Sequence, residues 1–368
     1  MQPEPDFQKI VPHFKFSGEF IRAEAIVSGH INDTCIAYFR QADGKIRRYI
    51  LQRINHYVFK KPEEVMANIL AVTTHLHQKT IVSGGNPYRE TLTLIPSHNG
   101  AMFHRTDTGY YWRAYVFIDN ALTYQIPENP QHVYNAAQAY GHFQQLLGDF
   151  PADQLHETIP DFHNTSKRFE TFVNVLEKDE CNRALRAKDE IDFLLQRADD
   201  MPVLVDLIAK GSLPIRVTHN DTKFNNVMID NKTGEGICVI DLDTVMPGSL
   251  LYDFGDAIRS ITNTGEEDER DLSLVHFSLE TYNRYTKGYL DATRGTLAPA
   301  EIEYLAFSAR LLTLECGMRF LTDHINGDTY FRTKRENHNL DRCKTQFRLV
   351  KEMEENYTEM SQIIDDYI

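Results

Sequence analysis

An α+β fold in two lobes is what this sequence predicts, with a β-rich N-lobe over residues 1–118 and a mainly helical C-lobe over residues 119–368. Three observations carry that expectation. The chain has 368 residues, more than one hydrophobic core usually fills. Its apolar residues come in short alternating runs as far as Ile118; after Pro130 they recur every three or four positions, the helical spacing. Residues 215–243 then interrupt the helices with three short apolar runs that close on a cluster of His, Asp, Lys and Asn.

Taken in order, the chain begins with a loose lead-in that Phe14, Phe16 and Phe20 pin down. Residues 23–28, 34–40 and 48–54 read as strands, the last two joined through Gln41-Ala42-Asp43-Gly44, where Asp-Gly between apolar runs signals a hairpin. Residues 62–78 carry Val65, Ile69, Val72 and Leu76 at helical spacing behind Pro62-Glu63-Glu64, a suitable first turn. Strands return at 91–95, 101–104 and 110–118, completing an antiparallel sheet with one helix. Pro127 and Pro130 mark the boundary region. Residues 131–147 place Val133, Ala136, Ala137, Tyr140, Phe143 and Leu147 on one stripe. Further helices are expected at 162–176, 183–198, 250–262, 272–290, 299–324 and 335–367.

Composition excludes several classes of function. Apolar residues make up 42% and charged residues 25%, as in an ordinary globular protein. No apolar run approaches a membrane span, so no membrane partner is expected. A formal charge of −14 argues against nucleic-acid binding, which usually shows a basic face. The first six residues are acidic and lack the apolar stretch of a secretory leader. Cys35, Cys181, Cys238, Cys316 and Cys343 have neither zinc nor redox spacing, which fits reduced thiols in a cytoplasmic protein. The oligomeric state is left open.

The chemistry concentrates in Thr218-His219-Asn220-Asp221-Thr222-Lys223-Phe224-Asn225-Asn226 and in Ile240-Asp241-Leu242-Asp243. Residues 226–229 and 237–240 flank Asn231-Lys232-Thr233-Gly234-Glu235-Gly236, a segment suited to reversing the chain. Paired as a hairpin, the two runs bring Asn226 beside Asp241, with Asp221 in the loop just before. A carboxylate and a carboxamide suit Mg²⁺, which takes a few hard oxygens beside substrate phosphates and keeps several waters. A further carboxylate suits the task of orienting an attacking hydroxyl and accepting its proton. His219-x-Asp221-x-x-x-x-Asn226 has the order and spacing of a kinase catalytic loop. Asp221 is thus the expected base, and Asn226 and Asp241 the expected metal ligands. Asp243 either reaches a second metal ion or caps the following loop. Lys223 either neutralises the transferred phosphoryl or is solvated, and His219 braces the loop. Asp253-Phe254-Gly255 spells a kinase triplet, but it lies twelve residues beyond the hairpin's return; Asp253 and Asp256 are read as structural.

On these residues the chain resembles the aminoglycoside phosphotransferase and choline kinase-like superfamily, with Asn220 where members usually have Gly. Within it, Gly29-His30-Ile31-Asn32-Asp33-Thr34, His219–Lys223, Asn225–Met228, Ile240–Gly248 and Glu315-Cys316-Gly317-Met318-Arg319-Phe320 are similar to kinases of N-acetylhexosamines. The resemblance implies a protein-kinase-like fold binding ATP and Mg²⁺ between the lobes. It further implies phosphorylation of the anomeric hydroxyl of N-acetylglucosamine or N-acetylgalactosamine. A kinase of another small alcohol (choline, homoserine or an aminoglycoside) is the nearest alternative, and a pseudokinase-type nucleotide-binding module the next. Gly29, Asn32 and Thr34 would then touch nucleotide, and Phe117 and Ile118 would form the hinge. His30, Asp33, Arg319 and Tyr330, with Asp221, would face the sugar, although Arg319 also fits a buried ion pair. Kinases usually place a Lys on the third strand; this one offers Gln52 or Arg53, of which alternation turns only one, by preference Gln52, into the cleft.

Overall fold

The computed structural model describes residues 7–26 and 32–368. Strands β1 (Glu19–Ile26), β2 (Asp33–Arg40), β3 (Ile46–Ile54), β4 (His104–Arg105) and β5 (Tyr111–Val116) form an antiparallel sheet in the order β1-β2-β3-β5-β4. Period-two alternation gives the sheet two different faces. Cys35, Ala37, Phe39, Tyr49, Leu51, Trp112 and Ala114 are buried on the outer face, under a lead-in that contributes Ile10, Val11 and Phe14. Phe16 packs there as expected, its ring centroid 4.8 Å from Phe39 and 4.7 Å from Tyr49. Thr34, Ile36, Ile50, Gln52, Arg113 and Tyr115 point the other way and roof a large cavity.

The Pro62–Val82 helix starts at a proline in its first turn and buries Val65, Met66, Ile69, Val72 and Leu76. Two strands expected after it are barely present. Residues 91–95 contribute one bridge, Leu94 to Tyr115, and residues 101–104 shrink to the two-residue β4. Residues 91–95 still reach β5 through two backbone hydrogen bonds, Ile95 N to Ala114 O at 2.8 Å and Val116 N to Thr93 O at 2.9 Å. The turn between the two segments is closed by the Ser97 hydroxyl donating to the Ala101 carbonyl and Asn99 accepting from Ala101 N.

Beyond the sheet the structure is helical, apart from β6 (Ala121–Leu122), β7 (Arg216–Thr218), β8 (Val227–Asp230), β9 (Gly236–Val239) and β10 (Met246–Gly248). Asn129 caps the Pro130–Leu146 helix by accepting from His132 N. This helix lies tightly against Leu279–Thr293: a Cβ on Gly288 would sit 2.4 Å from the Tyr134 carbonyl oxygen, so only glycine allows that approach. Leu250–Ile261 and Leu305–Ile325 complete the central layer.

Several expected helices are divided. Residues 299–324 become Pro299–Glu303 and Leu305–Ile325, and residues 335–367 become His338–Glu355 and Tyr357–Asp365. Residues 183–198 become a 3₁₀ turn, Ala184–Ala187, followed by Lys188–Leu195. Apolar spacing continues through such breaks and does not register them. The helix expected from residue 272 starts at Leu279, because Ser278 caps it by accepting from Thr281 N. Among the described residues no helix is long and apolar enough to cross a membrane.

β8 and β9 pair as an antiparallel hairpin with Val227 opposite Val239. The pairing continues past the strand ends, where Ile240 N donates to Asn226 O at 2.9 Å. β6 adds to the outer edge of this hairpin, a pairing that two residues of sequence do not announce.

Candidate functional site

The cavity under the sheet has a volume of about 1230 Å³ and is walled below by the hairpin and the loop before it. That loop carries a left-handed residue and is held in place by hydrogen bonds to buried carboxylates. Asn220 adopts φ 64° and Asp241 φ 61°, the left-handed region that favours glycine and, among other residues, Asn and Asp. Asn220 fixes its own conformation by donating from Nδ2 to Thr244 O at 2.8 Å. His219 is wholly buried, and both ring nitrogens are committed: Nε2 donates to Ile240 O at 2.9 Å and Nδ1 accepts from Asp221 N at 3.2 Å. An imidazole so engaged braces the loop.

Asp253, 2% exposed, accepts from His219 N at 2.9 Å, Asn220 N at 2.7 Å and Gln144 Nε2 at 2.7 Å. Asp256 accepts from Thr222 N at 2.9 Å and from the Arg259 guanidinium at 2.7 Å. Burial raises Asp253, whereas in Asp256 the Arg259 and Lys223 charges outweigh burial and hold the carboxyl low. Both groups lie behind the loop, and neither lines the cavity.

Asp221, Asn226 and Asp241 line the cavity together. Lys223 Nζ lies 2.8 Å from Asp221 Oδ1. Asn226 Nδ2 donates to Asp221 O at 2.8 Å and to Asp221 Oδ2 at 3.2 Å, which turns its Oδ1 away from these donors. The side-chain carboxylate of Asp241 makes neither a hydrogen bond nor an ion pair among the described residues. Burial, and after it the charges of Asp243 and Asp221, push its carboxyl up to about 6. An unpaired carboxylate among like charges calls for a cation. With Asn226 Oδ1 it offers two hard oxygens, enough for a divalent ion that keeps waters and takes phosphate oxygens. No group of three His, Cys, Asp or Glu able to hold a metal occurs among the described residues, so a closed protein cage is not what this site provides.

Residues 22–287 match the phosphotransferase enzyme family. The chain belongs to that family. Solved phosphotransferases share its fold. An aminoglycoside phosphotransferase from Alicyclobacillus acidocaldarius is 12% identical, with TM-score 0.61, covering 100% of this chain and 98% of its own. The amicoumacin kinase hAmiN, in complex with AMP-PNP, Ca²⁺ and Ami, is 14% identical with TM-score 0.58, covering 96% and 93%. A choline kinase from Cryptosporidium parvum is 14% identical with TM-score 0.54, covering 99% and 95%. Such likenesses show the fold: an antiparallel-sheet N-lobe followed by a helical part.

In this phosphotransferase the remaining expected site residues divide. Asn32, Thr34, Gln52, Phe117 and Ile118 line the cavity. Gly29 and His30 lie outside the described residues. Arg53 faces the opposite side of the sheet, where its guanidinium is 2.5 Å from Asp33 and lies near the rings of Tyr110 and Trp112. Register explains the split, since Thr34 pairs with Gln52 and Asp33 with Arg53. Asp33, expected at the sugar, is therefore engaged by Arg53 and does not line the cavity. Of the three expected metal ligands, Asp243 alone is absent from the lining; one of its oxygens accepts from Arg113 and the other from Asn32 at 2.5 Å. Its carboxylate is satisfied within the protein. Arg319 lies 4.0 Å from Glu315 and close to the rings of Phe162 and Phe331, and Tyr330 is 64% exposed. Neither of the two lines the cavity. Arg113 went unnoticed in the sequence, although a charged residue inside Tyr111-Trp112-Arg113-Ala114-Tyr115 was a signal.

Proposed function

We propose that this phosphotransferase is an ATP-dependent kinase of a small alcohol, with the anomeric hydroxyl of an N-acetylhexosamine as the favoured acceptor. The observation that carries the reading is the arrangement of Asp221 beside an unpaired Asp241 and the outward Oδ1 of Asn226. Asn226 and Asp241 hold a divalent cation, Mg²⁺ in this reading, which when bound neutralises phosphate charge. Asp221 orients the acceptor hydroxyl and accepts its proton at a carboxylate oxygen. Lys223, 2.8 Å from Asp221, lies where it can balance charge on the phosphoryl group in flight. The sheet face of Thr34, Gln52 and Ile50 covers the nucleotide, with Phe117 and Ile118 beside its base.

The sugar assignment rests on the resemblance of residues 29–34 and 315–320 to N-acetylhexosamine 1-kinases, which would put Asp33, Arg319 and Tyr330 on the sugar. An anomeric hydroxyl is more acidic than an ordinary alcohol, so a plain carboxylate base suffices and positioning carries most of the rate. The placement of Asp33, Arg319 and Tyr330 outside the cavity lining favours a second reading, the same chemistry on choline, homoserine or an aminoglycoside. One panel separates the two: ADP release with amino sugars, choline, homoserine and aminoglycosides, and the phosphorylated oxygen located by NMR. N-Acetylglucosamine should give the 1-phosphate, and 1-deoxy-N-acetylglucosamine should compete without reacting. Phosphate on O6, or turnover of choline with none of hexosamines, overturns the sugar assignment.

A further inference from the structure

In kinases a Lys on the third strand is paired with a Glu on the following helix, and the pair aligns sheet and catalytic loop. Neither half of that pair is arranged so here. The cleft-facing position on β3 is the neutral Gln52. On the helix after it, Glu64 lies 2.9 Å from the neighbouring Lys61, and Glu63 accepts from the Tyr111 hydroxyl.

The connection runs along a different path. Thr34, Gln52 and Arg113 stand directly opposite one another on β2, β3 and β5, so strand pairing places them in a row. Gln52 Nε2 donates to Thr34 Oγ1 at 2.9 Å, and Arg113 Nε donates to Gln52 Oε1 at 2.9 Å. Arg113 Nη1 then donates to Asp243, and the pair is almost completely buried, at 1% and 4% exposure. Asn32 secures the other Asp243 oxygen.

Asp243 stands two residues after Asp241, in the 3₁₀ turn Leu242–Thr244. The far end of that turn is held by Thr244 Oγ1, which donates to His219 O at 2.6 Å. A non-glycine residue stays left-handed, as Asp241 does, only where its surroundings over-determine it.

We propose that Arg113 is a positioning residue of the reaction: through Asp243 it locks the turn that aims the Asp241 carboxylate into the cleft. It thereby supplies from β5 the alignment that a strand Lys and helix Glu supply elsewhere. The inference rests on Asn226 and Asp241 being the cation ligands. It gives Asp243 and Gln52 defined tasks that bring neither into contact with the cation.

Arg113→Met alone leaves Asp243 buried without a cation and invites unfolding. The informative variants are the charge-balanced double R113M/D243L and the conservative R113K. Calorimetric titration with ATP and Mg²⁺ is read beside thermal unfolding and the KM values of ATP and acceptor. We expect both variants to fold and to keep the wild-type acceptor KM. The double variant should bind ATP·Mg²⁺ about 10–100-fold more weakly, the loss typical when a partner that orients a metal ligand is removed. R113K should recover part of this, because Lys keeps the charge but loses the fork that spans Gln52 and Asp243. A folded double variant that binds ATP·Mg²⁺ like wild type rejects the role of Arg113, as does a loss confined to acceptor KM. Absence of ATP·Mg²⁺ binding by wild type itself rejects the cation-site reading, and the role of Arg113 with it.

Discussion

Asp241 carries two kinds of tension, a left-handed backbone and an unpaired carboxylate, and both have measurable consequences. Its carboxyl is raised to about 6 by burial and by the Asp243 and Asp221 charges. A raised carboxyl disfavours the ionised form in the cation-free protein, while a divalent ion binds only that form. Cation-dependent ATP affinity should therefore hold above pH 6 and fall roughly tenfold per unit below it, as the proton competes for the site. Titrations at pH 5 and 7 check this, and equal affinities would contradict it. Asn220 tests the backbone. Asn220→Gly keeps φ 64° at little strain and loses one hydrogen bond to Thr244, whereas Asn220→Ala adds the left-handed penalty of about 1–2 kcal/mol. Thermal unfolding should rank wild type above N220G, and N220G above N220A. The Gly usual at this position in the superfamily is explained by the same dihedral angle.

The helix Leu250–Ile261 acts on the site through its buried acids rather than through a kinase-like triplet. Asp253 collects two backbone N–H groups of the catalytic loop and one side-chain amide. Asp253→Ala leaves those donors buried and unpaired, each costing about 1–3 kcal/mol, so its main effect should be a large fall in melting temperature. Metal dependence should be retained in whatever fraction stays folded; its abolition in D253A, with retention in Asp241→Ala, would reverse the assignment. The structural reading of Asp253 was available in the sequence because the hairpin spacing already placed the proposed metal carboxylate at Asp241. The hairpin itself was equally legible, since alternation and turn residues are both local. Helix breaks at Tyr304 and Asn356 were not legible, because apolar periodicity runs through them. The short β6 and β10 were missed for a related reason: their pairing partners lie far away in sequence.

Across the whole molecule, the sheet's two faces do different work, one closing a small core and the other roofing the cleft. Alternation predicted that division at Gln52 and Arg53 but could not show that Arg113 reaches across to Asp243, a contact 130 positions away in sequence. For the same reason, sequence alone could not show Asp33 engaged by Arg53. Because nucleotide would bridge the sheet and the hairpin, binding should stabilise the fold as one unit. ATP at a hundred times its dissociation constant should add about 2.7 kcal/mol with Mg²⁺ present, and chelation should abolish most of it. Asp241→Ala should erase the difference between the two conditions. The most direct measurement concerns Asp221. Asp221→Asn removes the proton acceptor and leaves Asn226 and Asp241 in place, so the variant should bind ATP·Mg²⁺ normally while turnover falls about 10²–10⁴-fold. Near-normal turnover in a folded D221N protein would contradict the account.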